Sequence, residues 1–168
     1  MVVSEVCLLL VITSHGEEET RTIGRILGKG VPPGMVIALK GDLGAGKTVL
    51  AQGIAQGAGV EGTVNSPSYV LMNIYHGQLE LYHFDFYRLE DEDDLFELGL
   101  DEYFYGEGVT LVEWADKFPS FLPEDRLEIE IRKDHGEQEF VRHLFFRTMG
   151  KLNHMFLEEI KKYASAGD

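Results

Sequence analysis

The stretch Gly41-Asp42-Leu43-Gly44-Ala45-Gly46-Lys47-Thr48 constrains the fold more than any other part of the chain. It matches G-x-x-x-x-G-K-[ST] in full and stands where that pattern must stand. An apolar run, residues 35–39, precedes it, and a helix-forming run from Lys47 to about Ala58, closed by Gly57 and Gly59, follows. Glycines let the backbone curl until successive N–H groups converge into a nest. The helix start adds partial positive charge, and a lysine with a hydroxyl residue completes a cradle for phosphates and their cation. The spacing therefore predicts a P-loop that binds a purine nucleoside triphosphate with Mg²⁺. Asp42, Leu43, Gly44, Ala45 and Gly46 wrap the phosphates, Lys47 reaches the terminal ones and Thr48 ligates the metal. The bland alternative is a glycine-rich turn with no ligand.

Around this loop the periodicities alternate. Residues 6–12 form an apolar run that reads as a buried strand, since seven residues without a basic flank or cleavage site make neither a signal nor a membrane span. Ser14 followed by Glu17 has capping-box spacing, and Ile23, Ile26 and Leu27 recur with helical period up to Gly28 and Gly30. Pro32-Pro33-Gly34 makes a turn. Residues 69–75 and 79–84 are strand-like about the short connection His76-Gly77-Gln78, and 91–98 start with acids and turn apolar, as a helix ended at Gly99 would. A short strand is expected at 109–112, a second hairpin from 127–132 and 139–146 about 133–136, and an amphipathic helix at 151–163. Helices and strands alternating early, with hairpins late, predict one α/β domain of the P-loop NTPase type over 1–168, with 149–168 as a C-terminal helical extension. The sheet should be mixed but largely parallel, with helices on both faces. The order of its strands is not legible.

Charge narrows the partners. The 168 residues hold 29 acidic and 15 basic side chains, a net charge of −14, and the excess is concentrated. Between His76 and Ser120 there are thirteen acids and two bases, Arg88 and Lys117. Such a surface repels a phosphate backbone, so any nucleic acid is expected to be held by a partner. The acidic run 90–94 is either a solvated helix start or a docking face for a basic protein. One cysteine, Cys7, cannot form an internal disulfide, and no Cys/His spacing suggests a metal cluster. With no run of membrane-spanning length, a cytoplasmic protein is expected.

A P-loop protein needs an acid at a nearby strand end to hold the magnesium shell. Glu113 ends the apolar run 109–112 and is favoured as the direct or water-mediated magnesium partner, with Asp85, after residues 81–84, as a second acid. Trp114 could stack on a nucleotide or belong to the core, and His83 reads as a structural histidine before a base. Arg88 either stabilises phosphate charge or pairs with nearby acids. No Asn-Lys-x-Asp and no Asp-x-x-Gly is present, which argues for adenine over guanine.

Four separated motifs together resemble one family. They are the loop at 41–48, Ser66-Pro67-Ser68-Tyr69, Tyr82-His83-Phe84-Asp85-Phe86-Tyr87-Arg88-Leu89 and Leu111-Val112-Glu113-Trp114. Their order, from about Glu17 to Ile131, is similar to that of the TsaE family, the ATPase component of bacterial tRNA threonylcarbamoyladenosine synthesis. The resemblance implies an ATPase that helps the TsaD–TsaB pair modify an adenosine of tRNAs reading codons that start with adenine. It implies that Lys47 and Thr48 hold triphosphate and magnesium, and that Glu113 is the magnesium-associated glutamate. Asp85 corresponds to the acid of His-x-Asp-x-Tyr-Arg. Ser66, Ser68 and Tyr69 fall in a mobile segment near the γ-phosphate, and Thr20 lies beside the base. Ser68 stands where the family usually has Thr, and Val49 where a second Thr is common, which removes a side-chain contact to the α-phosphate but keeps the backbone N–H. The tail beyond about Met149 has no counterpart. A partner-coupled ATPase, a stand-alone small-molecule kinase and a nucleotide-dependent binding module are the functions these residues leave open.

Overall fold

The structure, a computed structural model, describes residues 9–152 and 154–166. The first part of the early strand, 6–8, and Cys7 lie outside the described residues. In chain order the elements are β1 (Leu9–Ser14), α1 (Glu17–Gly30), β2 (Val36–Lys40), α2 (Lys47–Gly57), β3 (Met72–His76), β4 (Glu80–Asp85), α3 (Glu92–Phe96), α4 (Leu100–Phe104), β5 (Val109–Glu113), β6 (Arg126–Lys133), β7 (Arg142–Met149) and α5 (Glu158–Ala166). Among the described residues the seven strands form one sheet in the order β1-β7-β6-β2-β5-β4-β3. The central pairs β6–β2, β2–β5 and β5–β4 are parallel, and β1–β7, β7–β6 and β4–β3 are antiparallel. β1, β2, β4, β5 and β6 therefore run one way, and the sheet is mixed but mostly parallel, as the sequence predicts.

Residues 36–39 of β2 are apolar and β5 is buried along its whole length because both faces of the sheet are covered. On one face Ile37, Leu39, Leu111, Ile129 and Phe146 pack under Ile23, Leu27, Leu50, Ile54 and Ile160 from α1, α2 and α5. On the other, Val36, Ala38, Phe84 and Val112 pack under Leu95, Leu100 and Phe104 from α3 and α4. α1 and α2 meet through glycine. A Cβ on Gly28 would run into the Ile54 carbonyl, one on Gly53 into that of Arg21, one on Gly57 into that of Arg25, and one on Gly24 would lie 2.6 Å from that of Leu50. Along the rim Arg21 and Arg25 donate to Gln52 and Gln56. Backbone touches backbone here, which fixes α2 against α1 along residues 50–57.

Several local readings shift. Ser14 does not cap α1: it closes β1 opposite Arg142, and its Oγ lies 2.7 Å from Thr20 Oγ1. Gly16 is the residue before the helix, and it is Glu19 that reaches back, to the His15 N–H. The strand expected at 69–75 begins only at Met72, because Val70 and Leu71 donate to the Pro67 carbonyl in a turn that leaves Leu71 at φ 69. Gly99, at φ 63, divides α3 from an unforeseen α4, and Asp91 rather than a helical residue caps α3 by accepting from the N–H groups of Asp93 and Asp94. β7 starts at Arg142, after a turn closed by the Val141 N–H on Gln138. The terminal helix comes as a 3₁₀ turn, His154–Leu157, followed by α5. No helix of the described residues is long and apolar enough to cross a membrane.

Beside the loop-bearing strand, Glu128 on β6 accepts from Lys40 Nζ at 2.8 Å and from Arg126 Nη2 at 2.8 Å. Burial opposes its ionisation, yet hydrogen bonds from Lys40 and Arg126 hold the carboxyl below the usual range. A carboxyl whose pKa falls on folding stabilises the protein above its unfolded value, about 4.3, and loses that contribution as pH drops through the folded value. Glu128→Gln is therefore expected to cost about 1–2 kcal/mol near neutral pH, and its deficit to shrink near pH ~3. Urea unfolding at the two pH values checks this; an equal deficit at both would remove the ion pair from the account.

Candidate functional site

β2, β5 and β4 end side by side, and the register sets what lies there: Leu39 is opposite Glu113, and Glu113 is opposite Asp85. Ligands of open α/β sheets sit outside such carboxyl ends. The chain leaves β2 through a loop in which Gly41, Gly44 and Gly46 have φ 144, 74 and 113, conformations that a side chain would strain. α2 then starts at Lys47 with no side-chain cap and no acid in its first turn, so its leading N–H groups are free to receive an anion. Lys47 is 5% exposed. Its Nζ donates to the carbonyls of Gly41 and Asp42 and lies 4.0 Å from the centroid of the Trp114 ring. Burial pushes the ammonium pKa down, against the opposing charges of Glu113, Asp116, Asp85 and Asp42. Among the described residues this cation is bonded to carbonyls and to no carboxylate.

Two acidic networks flank that cation. Thr48 Oγ1 donates to Glu113 Oε1 at 2.7 Å, and His83 Nε2 lies 2.8 Å from Glu113 Oε2. Asp85 Oδ2 accepts from Ser66 and Ser68 hydroxyls at 2.8 and 2.9 Å, while its Oδ1 accepts from the Tyr87 N–H at 2.9 Å. Glu113 is thus tied to the start of α2, and Asp85 to the segment at 66–68. Trp114 takes the left-handed conformation, φ 57, which turns its ring over Lys47 and against Tyr87, centroid to centroid 4.9 Å. Lys117 Nζ donates to the carbonyls of Tyr87 and Leu89 at 2.7 and 2.6 Å, stapling the exit of β4 to that of β5. Arg88 lies over the Tyr69 ring at 3.9 Å, pairs with no acid among the described residues, and lines the cleft.

These groups line a cleft of about 450 Å³ that gathers Leu43, Gly44, Gly46, Lys47, Thr48, Val49, Ser66, Ser68, Asp85, Arg88, Glu113 and Trp114. Tyr69 and Tyr87 complete its wall. Thr20 and Ala45 are not in it. They line an adjoining cleft of about 150 Å³ on the other side of the loop, with Glu17, Phe140 and Arg142, and Gly44, Gly46 and Val49 border both. Asp42 lines neither and contributes its backbone carbonyl to Lys47. Phe140 and Arg142 escaped the sequence reading because only the return of β7 beside β6 brings them to the loop, where Arg142 Nε donates to the Ala45 carbonyl at 3.1 Å. Tyr87 had a signal, two residues after Asp85 at a strand end.

A parallel strand running through a glycine loop into an uncapped helix, with carboxylates on the neighbouring strand ends, defines the strand–glycine-loop–helix class of α/β proteins. Within that class the chain belongs to the TsaE family: the family model described as threonylcarbamoyl adenosine biosynthesis protein TsaE matches residues 14–143. The tRNA threonylcarbamoyladenosine biosynthesis protein TsaE of Bacillus subtilis strain 168 is 44% identical over 147 residues, 87% of this chain and 90% of its own. Its counterpart in Treponema pallidum is 40% identical over 119 residues, 71% and 88% of the two chains. A crystal structure of Bacillus subtilis YdiB superposes with a TM-score of 0.80 at 36% identity, over 95% of this chain and 99% of that one. The resemblance carried by the four motifs is therefore a family membership.

Proposed function

We propose that the protein serves tRNA threonylcarbamoyladenosine biosynthesis by binding ATP with Mg²⁺ in the larger cleft and hydrolysing it while engaged with the TsaD–TsaB pair, in the cytoplasm. tRNA is reached only through that complex. The observation that carries the reading is the buried Lys47 ammonium beside Thr48, whose proton is committed to Glu113. The donor set suits a phosphate chain, and a hydroxyl with hard carboxylate oxygens behind it suits magnesium, which leans on few protein ligands and on phosphates. When bound, magnesium neutralises charge across the terminal phosphates.

The chain's own groups do the remainder. Lys47 exchanges the carbonyls of Gly41 and Asp42 for phosphate oxygens and neutralises charge on the transferred phosphoryl group. Thr48 donates to Glu113 and so presents lone pairs to the cleft. Glu113, 2% exposed, works from behind Thr48. Asp85 holds Ser66 and Ser68 against the place of the terminal phosphate, and Arg88 lines the same cleft. The adjoining cleft beside Thr20 receives adenine. Phosphoryl transfer needs positioning and charge neutralisation more than a covalent group, and this is what the site supplies. The exposed acids of residues 90–94 present a face for a basic partner.

Phosphate release from ATP, measured for the protein alone and with a matched TsaD–TsaB complex, tests the proposal. Stimulation of about tenfold or more, a barrier change of roughly 1.4 kcal/mol, is expected. Equal rates would move the reading to a stand-alone kinase, and transfer to a metabolite would establish it.

A further inference from the structure

His83 is 0% exposed, and among the described residues its ring hydrogen-bonds to Glu113. Among the described residues its Nδ1 has no hydrogen-bond partner. The register explains the contact. His83 pairs with Leu111 across the parallel β4–β5 ladder, so Glu113, two residues further on, is its diagonal neighbour on the same face. The geometry also assigns the tautomer: a proton on Nε2 serves the carboxylate and leaves Nδ1 a bare acceptor, whereas the other tautomer would bury an unanswered N–H and set two acceptors against each other.

Glu113 then receives a donor at each oxygen, Thr48 at Oε1 and His83 at Oε2. Turning the carboxylate breaks one of the two bonds. Because a hydroxyl has a single proton, a Glu113 held in place fixes where that proton points and so where the Thr48 lone pairs point. We propose that His83 is a positioning residue which acts through Glu113 on Thr48 and sets the preference of the cleft for magnesium-bound over metal-free ATP. The inference rests on the reading of the cleft as an ATP site. A histidine that merely fills the core would affect folding and both forms of ATP alike. A positioning histidine affects the magnesium-dependent part alone, as outer partners of ligating groups do.

The experiment compares ATP binding by calorimetry, with Mg²⁺ and with a chelator, in the wild type and in His83→Leu, His83→Gln and His83→Asn. Glutamine places an amide N–H near the position of Nε2; asparagine does not reach it. Expected for His83→Leu and His83→Asn is a roughly tenfold to hundredfold loss of affinity with Mg²⁺ and little change without it, with His83→Gln restoring most of the loss. Should the leucine variant fail to fold, the Gln/Asn pair decides alone. Equal losses with and without Mg²⁺, or no loss, would overturn the proposal. Failure of the ATP-site reading shows differently, as a wild type that binds no ATP. In the ligand-free protein, nitrogen NMR of the ring should show a protonated Nε2 and a bare Nδ1; the reverse tautomer would also overturn it.

Discussion

Lys47→Ala is expected to weaken ATP binding on the order of a hundredfold, about 3 kcal/mol, and to abolish partner-dependent phosphate release while the protein stays folded. The two halves of this expectation have separate causes. On the proposed function the ammonium would make charge-assisted hydrogen bonds to phosphate oxygens, each worth about 1.5–3 kcal/mol, and no other side chain of the loop carries positive charge. In the free protein the same ammonium is buried, its pKa is pushed down by that burial, its hydrogen bonds go to two backbone carbonyls, and Lys47 itself lines the open cleft. Water can replace it there, so a stability change within about 1 kcal/mol is expected. Calorimetric titration and thermal unfolding of the same sample read both halves. Undiminished affinity in a folded variant would remove Lys47, and with it the loop, from the nucleotide site.

Gly28→Ala should destabilise the protein by about 3 kcal/mol, the upper range for a methyl forced into a packed interior. The added Cβ would meet the Ile54 carbonyl, which is backbone of α2 and cannot rotate aside. Gly30→Ala, on the same helix, is the control, since its Cβ would stand 3.4 Å from the Phe156 carbonyl, an ordinary contact. There the better helix propensity of alanine acts almost unopposed. Urea midpoints of the two variants should move in opposite directions. If both moved little, α1 and α2 would have to separate more easily than their contact implies. Because the seam holds α2, whose first turn carries Lys47 and Thr48, the Gly28 variant should also lose ATP affinity.

What could be read beforehand follows the range of the forces involved. The glycine loop was legible because its chemistry is local: donors, cation and hydroxyl lie within residues 41–48. Glu113 and Asp85 were legible because an apolar run capped by a carboxylate is a local pattern, and register places them as neighbours. Ser14 was misread because its pairing with Arg142, far along the chain, outbids a nearby capping box. The start of β3 was misjudged because the turn at Pro67 overrides the apolar residues after it. His83 reads from the sequence as a structural histidine, and it is buried, but its partner Glu113 is visible only once β4 lies beside β5. The adjoining cleft was illegible for the same reason, as Phe140 and Arg142 arrive with β7.

The glycine seam also limits how the sequence can change in length. Inserting or deleting one residue inside α1 rotates everything beyond it by about 100° about the helix axis. Any such shift between Gly24 and Gly28 would turn a side chain toward the α2 backbone, where not even a methyl fits at Gly28. Exposed turns away from residues 41–48 can lengthen or shorten at small entropic cost, but α1 must keep its phase, and the placement of the glycine loop depends on that phase.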